Sequence, residues 1–508
     1  MRSRFAYVAI LALTFALLVP SAAVAAEKQV SMDVAAARVA AESLLVSRGI
    51  NPSDAVFQVG ERNYAGSSCP GSGWNCTGAS IVVQITTGAA VSSVNKADEC
   101  TADPCVITQT NNGGKNDARC AERSSANSAV QGCVITQTNT TGTNKAFVSQ
   151  WIKQSQPDGS QSARQTATVS QTNDTGTNDS QISQTIDQSE ASDLSGATLE
   201  QSQESHQRAD VCQGGAGDPC TAASNGKNVS DVSQSNAQRL KARFSADSTG
   251  TIDQNQNTSP DASTGGPTNL AIVRQTSTTS TGDSRLTQSS REIASAQDRT
   301  KDGDEDNDND EALSYPSPFA GTLNQQQGVS GNPTCPDSGL CGFVIQNSTG
   351  VLNAREGQDE LQKLQGPPGA NQTQYGPEFC CATQIGGNAK NKNDVDQNKR
   401  QLHTSSFADG MIQGHCESSP DGCNVKQTLR QNGTTQTNSC TASPCNPTIV
   451  CFTGPSEGGG DSTDCTPGTA ESPISPPPPP CSDCGIGMIP GMKIMTAAAW
   501  LEIRSAIA

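Results

Sequence analysis

The residues in this chain best equipped for chemistry are its cysteines, and there are 20 of them. Most fall in close pairs: Cys69/Cys76, Cys100/Cys105, Cys120/Cys133, Cys212/Cys220, Cys335/Cys341, Cys416/Cys423 and Cys440/Cys445. Between partners stand Gly, Pro, Asp and Ser, as in "CTADPC" and "CTASPC". Two thiols a few residues apart across a turn close a short loop on oxidation, so the pairs read as disulfide staples. Zinc is the competing chemistry, above all at Cys481-x-x-Cys484, but the three histidines, His206, His403 and His415, are scattered. Structural disulfides fit an exported chain better than metal.

A second candidate is the acidic run "DGDEDNDND". Asp302, Asp304, Asp306, Asp308 and Asp310 offer oxygens at alternate positions, as calcium loops do. The run lacks the turn glycine of an EF-hand, and a solvated acidic linker is the other reading. Beyond calcium no cofactor is expected. No His has a Cys or Ser partner at motif spacing and there is no phosphate loop, so we expect no enzyme. A carbohydrate-active β-helix, with carboxylates brought together from distant segments, is the lesser alternative.

The elements that must position these residues follow from composition and period. Of 508 residues, 33% are hydrophobic and 3% aromatic, too few for large conventional cores. The formal net charge of -17 disfavours nucleic acid as a partner. Residues 1–26, with Arg2, Arg4, an apolar run and Ala23-Val24-Ala25, read as a secretory signal peptide. After its cleavage no membrane span is expected. Residues 27–79 read as an N-terminal helix and a cysteine-containing cap, with Asp33 in the first helical turn and Gly49 as the stop.

From Ser80 the pattern alternates with period two, in two blocks at 80–297 and 320–450, separated by the acidic linker 298–319. A Cys/Pro-rich segment at 451–484 and an apolar tail at 485–508 follow. The recurring unit is an aliphatic residue, any residue, then Gln. Its long form, [VI]-x-Q-x-N-x-x-G-x-N-x-[AS], spans Ile107–Ala118, Ile135–Ala146 and Val169–Ser180. Parity puts Ile135, Gln137 and Asn139 on one face, turns the chain through Gly142, and puts Asn144, Ala146, Val148 and Gln150 on one face afterwards.

A unit this short buries nothing alone. Stacked in register, copies share a continuous core in which amides bond to their own kind in the next copy. The expected structural ladder is Gln109, Asn116, Gln137, Asn139, Asn144, Gln150, Gln171, Asn173, Asn178, Gln184, Asn228 and Gln234. An unsatisfied buried amide costs about 1–3 kcal/mol, so the arrangement demands continuity.

Gln137-x-Asn139-x-x-Gly142-x-Asn144-x-Ala146-x-x-x-Gln150 resembles the curlin repeat of bacterial curli amyloid subunits. The chain departs from it in an arc two residues longer, uneven spacing and many cysteines. The resemblance implies a related all-β solenoid of strand-arc-strand units. The expectation is therefore a secreted, extracellular or cell-surface protein of structural or adhesive function, of the biofilm-matrix kind, in the manner of a curli-like fibre subunit. Its partners would be itself or other matrix subunits, added by strand stacking. The alternative is a monomeric solenoid adhesin that binds surface glycans or cells.

Overall fold

The computed structural model describes residues 33–453 apart from connecting segments, of which 257–268, 299–319 and 328–339 are the longest. The leader, the acidic run Asp302–Asp310, the apolar tail and nearly all of 451–484 lie outside the described residues.

One helix precedes the strands. In α1 (Val34–Ser47) Asp33 is the N-cap, its carboxylate accepting from the backbone N–H of Ala35 and Ala36 at 3.0 and 3.1 Å. This satisfies two donors that have no partner within the helix. Arg48 caps the far end, and Gly49 takes φ 72°, a left-handed conformation that favours glycine. Ala41 and Leu45 are buried against Val83, Ile85 and Val106. Those three alternate with core residues, so the helix lies on the outer face of a sheet rather than over the end of the stack. No helix among the described residues is long and apolar enough to cross a membrane.

All else is β. The strands β1 (Val56–Val59) and β2 (Arg62–Ala65) open two separate sheets, and β3 (Asn75–Thr77) edges the second. The chain then alternates between the sheets, one strand in each. The pairs are β4 (Ile81–Ile85) with β5 (Val94–Cys100), β6 (Cys105–Thr110) with β7 (Lys115–Ser124), and β8 (Ser128–Asn139) with β9 (Thr143–Gln156). Next come β10 (Gln161–Asn173) with β11 (Thr177–Asp193) and β12 (Leu199–Gly214) with β13 (Lys227–Phe244).

Beyond this point the first sheet divides. Residues 199–204 of β12 pair with β14 (Thr249–Gln256), and residues 207–213 pair with β15 (Asn269–Thr276). Two collinear strands thus do the work of one, opposite β16 (Gly282–Asp298). The same division holds for β17 (Ala320–Gln327) and β18 (Leu340–Asn347) opposite β19 (Leu352–Gln365), and for β20 (Asn371–Tyr375) and β21 (Glu378–Ile385) opposite β22 (Lys392–His403). It ends at β23 (Ala408–Ser418), which pairs with both β20 and β21 and faces β24 (Cys423–Gln431).

Every pairing up to this point is parallel. Two antiparallel strands finish the sheets, β25 (Thr434–Ala442) on β24 and β26 (Val450–Thr453) on β23. The segment 298–319 does not interrupt the assembly: β17 pairs with β14 and β19 with β16 in unbroken register across it. Strands also begin ahead of Ser80, because Val56-x-Gln58 already carries the aliphatic-x-Gln signature.

Register brings like residues together. Gln109, Gln137, Gln171 and Gln213 are successive partners in the first sheet, and Asn116, Asn144, Asn178 and Asn228 in the second. Between the sheets lies a thin apolar seam that includes Ile107, Ile135, Val169 and Val211 from one side and Val148, Ile182, Val232 and Leu286 from the other.

Candidate functional site

The distinctive site is the interior between the two sheets, which is polar as well as buried. Gln84, Gln109, Gln137, Gln171, Gln213 and Gln275 are 0–2% exposed. From Gln346 down to Gln58, each Nε2 donates to the Oε1 of the preceding glutamine in the column at 2.8–2.9 Å. The second N–H crosses the core. Gln109, Gln137 and Gln171 donate to the main-chain carbonyls of Asp117, Lys145 and Asp179 in the facing sheet, at 2.8–3.1 Å. One amide therefore ties neighbouring strands and opposite sheets, and its burial is compatible with the low apolar content.

The asparagines form a second column of opposite sense. Asn75 donates to Asn63, and the chain continues through Asn95, Asn116, Asn144 and Asn178 to Asn228 at 2.8–3.2 Å. Donors in the glutamine column point toward the N-terminal end, and donors in the asparagine column toward the C-terminal end. Aligned amides in one column polarise one another favourably, and the opposed columns offset each other's dipoles.

Asn139 and Asn173 stand elsewhere. They hold the arcs rather than a side-chain column, because their partners are backbone groups. Asn139 Oδ1 accepts from the N–H of Thr140 and Gly142, as well as from Gly113 of the previous level, and its Nδ2 donates to Gly114 O at 2.8 Å. Asn173 accepts from Gly176 N and donates to Gly142 O at 2.7 Å. Their position at the strand end, where a turn must be fixed, makes the difference.

In the second sheet Gln358, Gln288, Gln234, Gln184 and Gln150 form another column, which ends on a carboxylate: Gln150 Nε2 donates to Glu122 Oε2 at 2.8 Å. Glu122 is 2% exposed, and its Oε1 has no hydrogen-bond partner among the described residues. Burial pushes its carboxyl up to about 7, helped by the negative charge of Asp103 and opposed by the Gln150 and Gly132 hydrogen bonds. The unfolded chain ionises near the ordinary glutamate value, so from about pH 4.5 to about 7 the folded state holds a proton that the unfolded state has lost. Stability attributable to this group falls as pH rises through that window and is flat above it. Glu122→Gln, which continues the column with an amide, is expected to raise the unfolding free energy by about 1–2 kcal/mol at pH 8 and by little at pH 4.5. Urea titrations at the two pH values check this; equal gains at both would refute it.

Three of the cysteine pairs are disulfides: Cys69–Cys76, Cys100–Cys105 and Cys212–Cys220. The side chains of Cys335, Cys341, Cys416, Cys423, Cys440 and Cys445 lie outside the described ones. Cys120 and Cys133 are present as two thiols, and they lie inside the core on β7 and β8 rather than on a loop. Burial pushes both thiols up. The sequence signal was present: Asn116-x-Ala118-x-Cys120-x-Glu122 lies in register with Asn144-x-Ala146-x-Val148-x-Gln150, which places Cys120 and Glu122 on the inward row.

On the outer face of the second sheet, Arg119 and Arg123 sit over the rings of their register partners Phe147 and Trp151, at 5.9 and 5.5 Å. Trp151 is 38% exposed. Searches against family models, curated proteins and solved structures return no match for this chain.

Proposed function

We propose that the protein is a secreted, curlin-like β-solenoid that serves as a rigid structural or adhesive scaffold at the cell surface or in an extracellular matrix. The observation that carries this reading is the unbroken glutamine column from Gln58 to Gln346, bonded at every step. Such a core resists bending and leaves the outer faces free to vary, which suits a spacer or display surface. The disulfides suit an oxidising compartment.

The two ends favour a self-limited stack over a fibre subunit. At one end both N–H groups of Gln58 are already taken by the carbonyls of Tyr64 and Asn75. At the other, the last strands of both sheets run antiparallel, so a further copy would find no parallel template. The exposed Trp151 and its arginine neighbours are the kind of surface on which a sugar ring stacks, in line with a monomeric adhesin. The enzyme reading draws less support, because Glu122 and Glu356, the inward carboxylates among the described residues, are enclosed between the sheets rather than set along an open groove.

The test joins location to shape. Antibody labelling of intact cells and of the extracellular fraction is expected to find the chain outside the cell. Electron microscopy of purified protein is expected to show single flat particles about 50 Å along the stack, since the second sheet stacks 12 strands at ~4.8 Å, and about 60 Å across at the widest, since its longest strand has 18 residues at ~3.3 Å each. Fibrils that seed and bind amyloid dyes would replace the monomer with the fibre subunit. A chain retained inside the cell would sink both.

A further inference from the structure

Four cysteines form a zigzag through the core near its N-terminal end. Cys100 is the register partner of Cys120 in the second sheet, and Cys105 is the partner of Cys133 in the first. The step from Cys100 to Cys105 therefore repeats, one level along, as the step from Cys120 to Cys133. The Sγ atoms of Cys105, Cys120 and Cys133 all lie within 4.8 Å of one another. A bulge adds to the pattern. The register of β5 on β7 shifts between Ala97 and Cys100, and without that shift Cys100 would fall on the outward row. The backbone is thus adjusted to bring a sulfur inward.

The columns show what the second pair replaces. Cys120 occupies the position of Val148 and Ile182 in the second sheet, and Cys133 that of Ala167 and Ala209 in the first. At other levels, a small side chain on one sheet accommodates a larger one on the other.

We propose that Cys120 and Cys133 close a second disulfide across the core, one level beyond Cys100–Cys105, so that the two sheets are stapled together at successive levels. Two S–H bonds break and one S–S bond forms. The two protons and two electrons pass to an external disulfide, which is reduced to two thiols. Cys105 does not compete, because its sulfur is already bonded to Cys100. Metal is the weaker outcome: a thiolate pair would place negative charge in an apolar cluster beside the Glu122 carboxyl, whereas a disulfide is neutral.

Trypsin separates the alternatives cleanly. Its sites leave Cys100 and Cys105 together in residues 97–115, Cys120 in residues 120–123 and Cys133 in residues 124–145. The purified full chain is refolded in oxidised glutathione, alkylated in denaturant without reductant, and digested. The expected product is residues 120–123 linked to residues 124–145, with neither cysteine alkylated. Alkylation of both, a link from residues 97–115 to residues 120–123, or zinc bound in stoichiometric amount would each overturn the proposal. A companion variant carries Cys120→Val and Cys133→Ala, which reproduces the residues of the adjoining levels. Reductant is expected to lower the urea midpoint of the parent more than that of the variant, and an equal shift in both would also count against the second disulfide.

Discussion

Gly142→Ala is expected to destabilise the protein by about 3–5 kcal/mol. A Cβ on Gly142 would lie 1.8 Å from Gly114 O, with Asn139 Nδ2 at 2.6 Å and Gly113 C at 2.8 Å. The obstacle is mainly backbone, so no rotamer change relieves it. Gly114 O is also engaged by Thr143 N at 3.1 Å and Asn139 Nδ2 at 2.8 Å, and moving it loosens both bonds. A Cβ on Gly176 or Gly226 would likewise collide with the carbonyl oxygen of Gly142 or Gly176, so the arcs pack glycine on glycine through successive levels. The requirement is for close approach rather than for an unusual φ. Gly357→Ala, where a Cβ meets nothing within 4 Å, is the matched control and is expected to change stability by less than about 0.5 kcal/mol. Urea midpoints of the two variants decide the matter; equal values would mean that the arcs can separate freely.

Much of this architecture was legible because its signal is local. Period-two alternation assigns Ile135, Gln137, Val148 and Gln150 to the interior, and all four are 0–1% exposed. The uneven spacing of the glutamines was no obstacle, since bonds between residues 28, 34 and 42 apart join identical side chains in one column. The division of the first sheet at β14 and β15 was not legible. A long insertion between two short strands looks, in one sequence, like the gap between two separate levels. Only pairing of both with β12 shows that they share a level. The place of one cysteine pair was hidden for a similar reason. Proximity in sequence suggested a stapled loop for Cys120 and Cys133, whereas the property that matters is their position on inward rows of facing sheets. Asn139 was assigned correctly to the interior but not to its partner, because a side chain at a strand end finds backbone before it finds another amide.

Gln137→Leu tests whether the glutamine column acts as a unit. Gln137 is fully buried; its Nε2 donates to Gln109 Oε1 and Lys145 O at 2.8 Å, and its Oε1 accepts from Gln171 Nε2 at 2.8 Å. Leucine fills a similar volume and restores none of these bonds. It strands one acceptor on Gln109 and one donor on Gln171, at about 1–3 kcal/mol each, and the added apolar contact offsets part of this. A net loss of about 3 kcal/mol is expected, against less than about 0.5 kcal/mol for Thr138→Ala on the exposed face next door. The sharper measurement is the double variant Gln137→Leu with Gln171→Leu. Once Gln171 is gone, the donor that the first substitution stranded no longer exists, so the second substitution costs less in that background than alone. The double variant is expected to fall short of the sum of the singles by about 1 kcal/mol or more. Strict additivity in urea titrations would mean that each glutamine is satisfied by its own level, through bonds such as that to Lys145 O, and that the column contributes register but not cooperative strength.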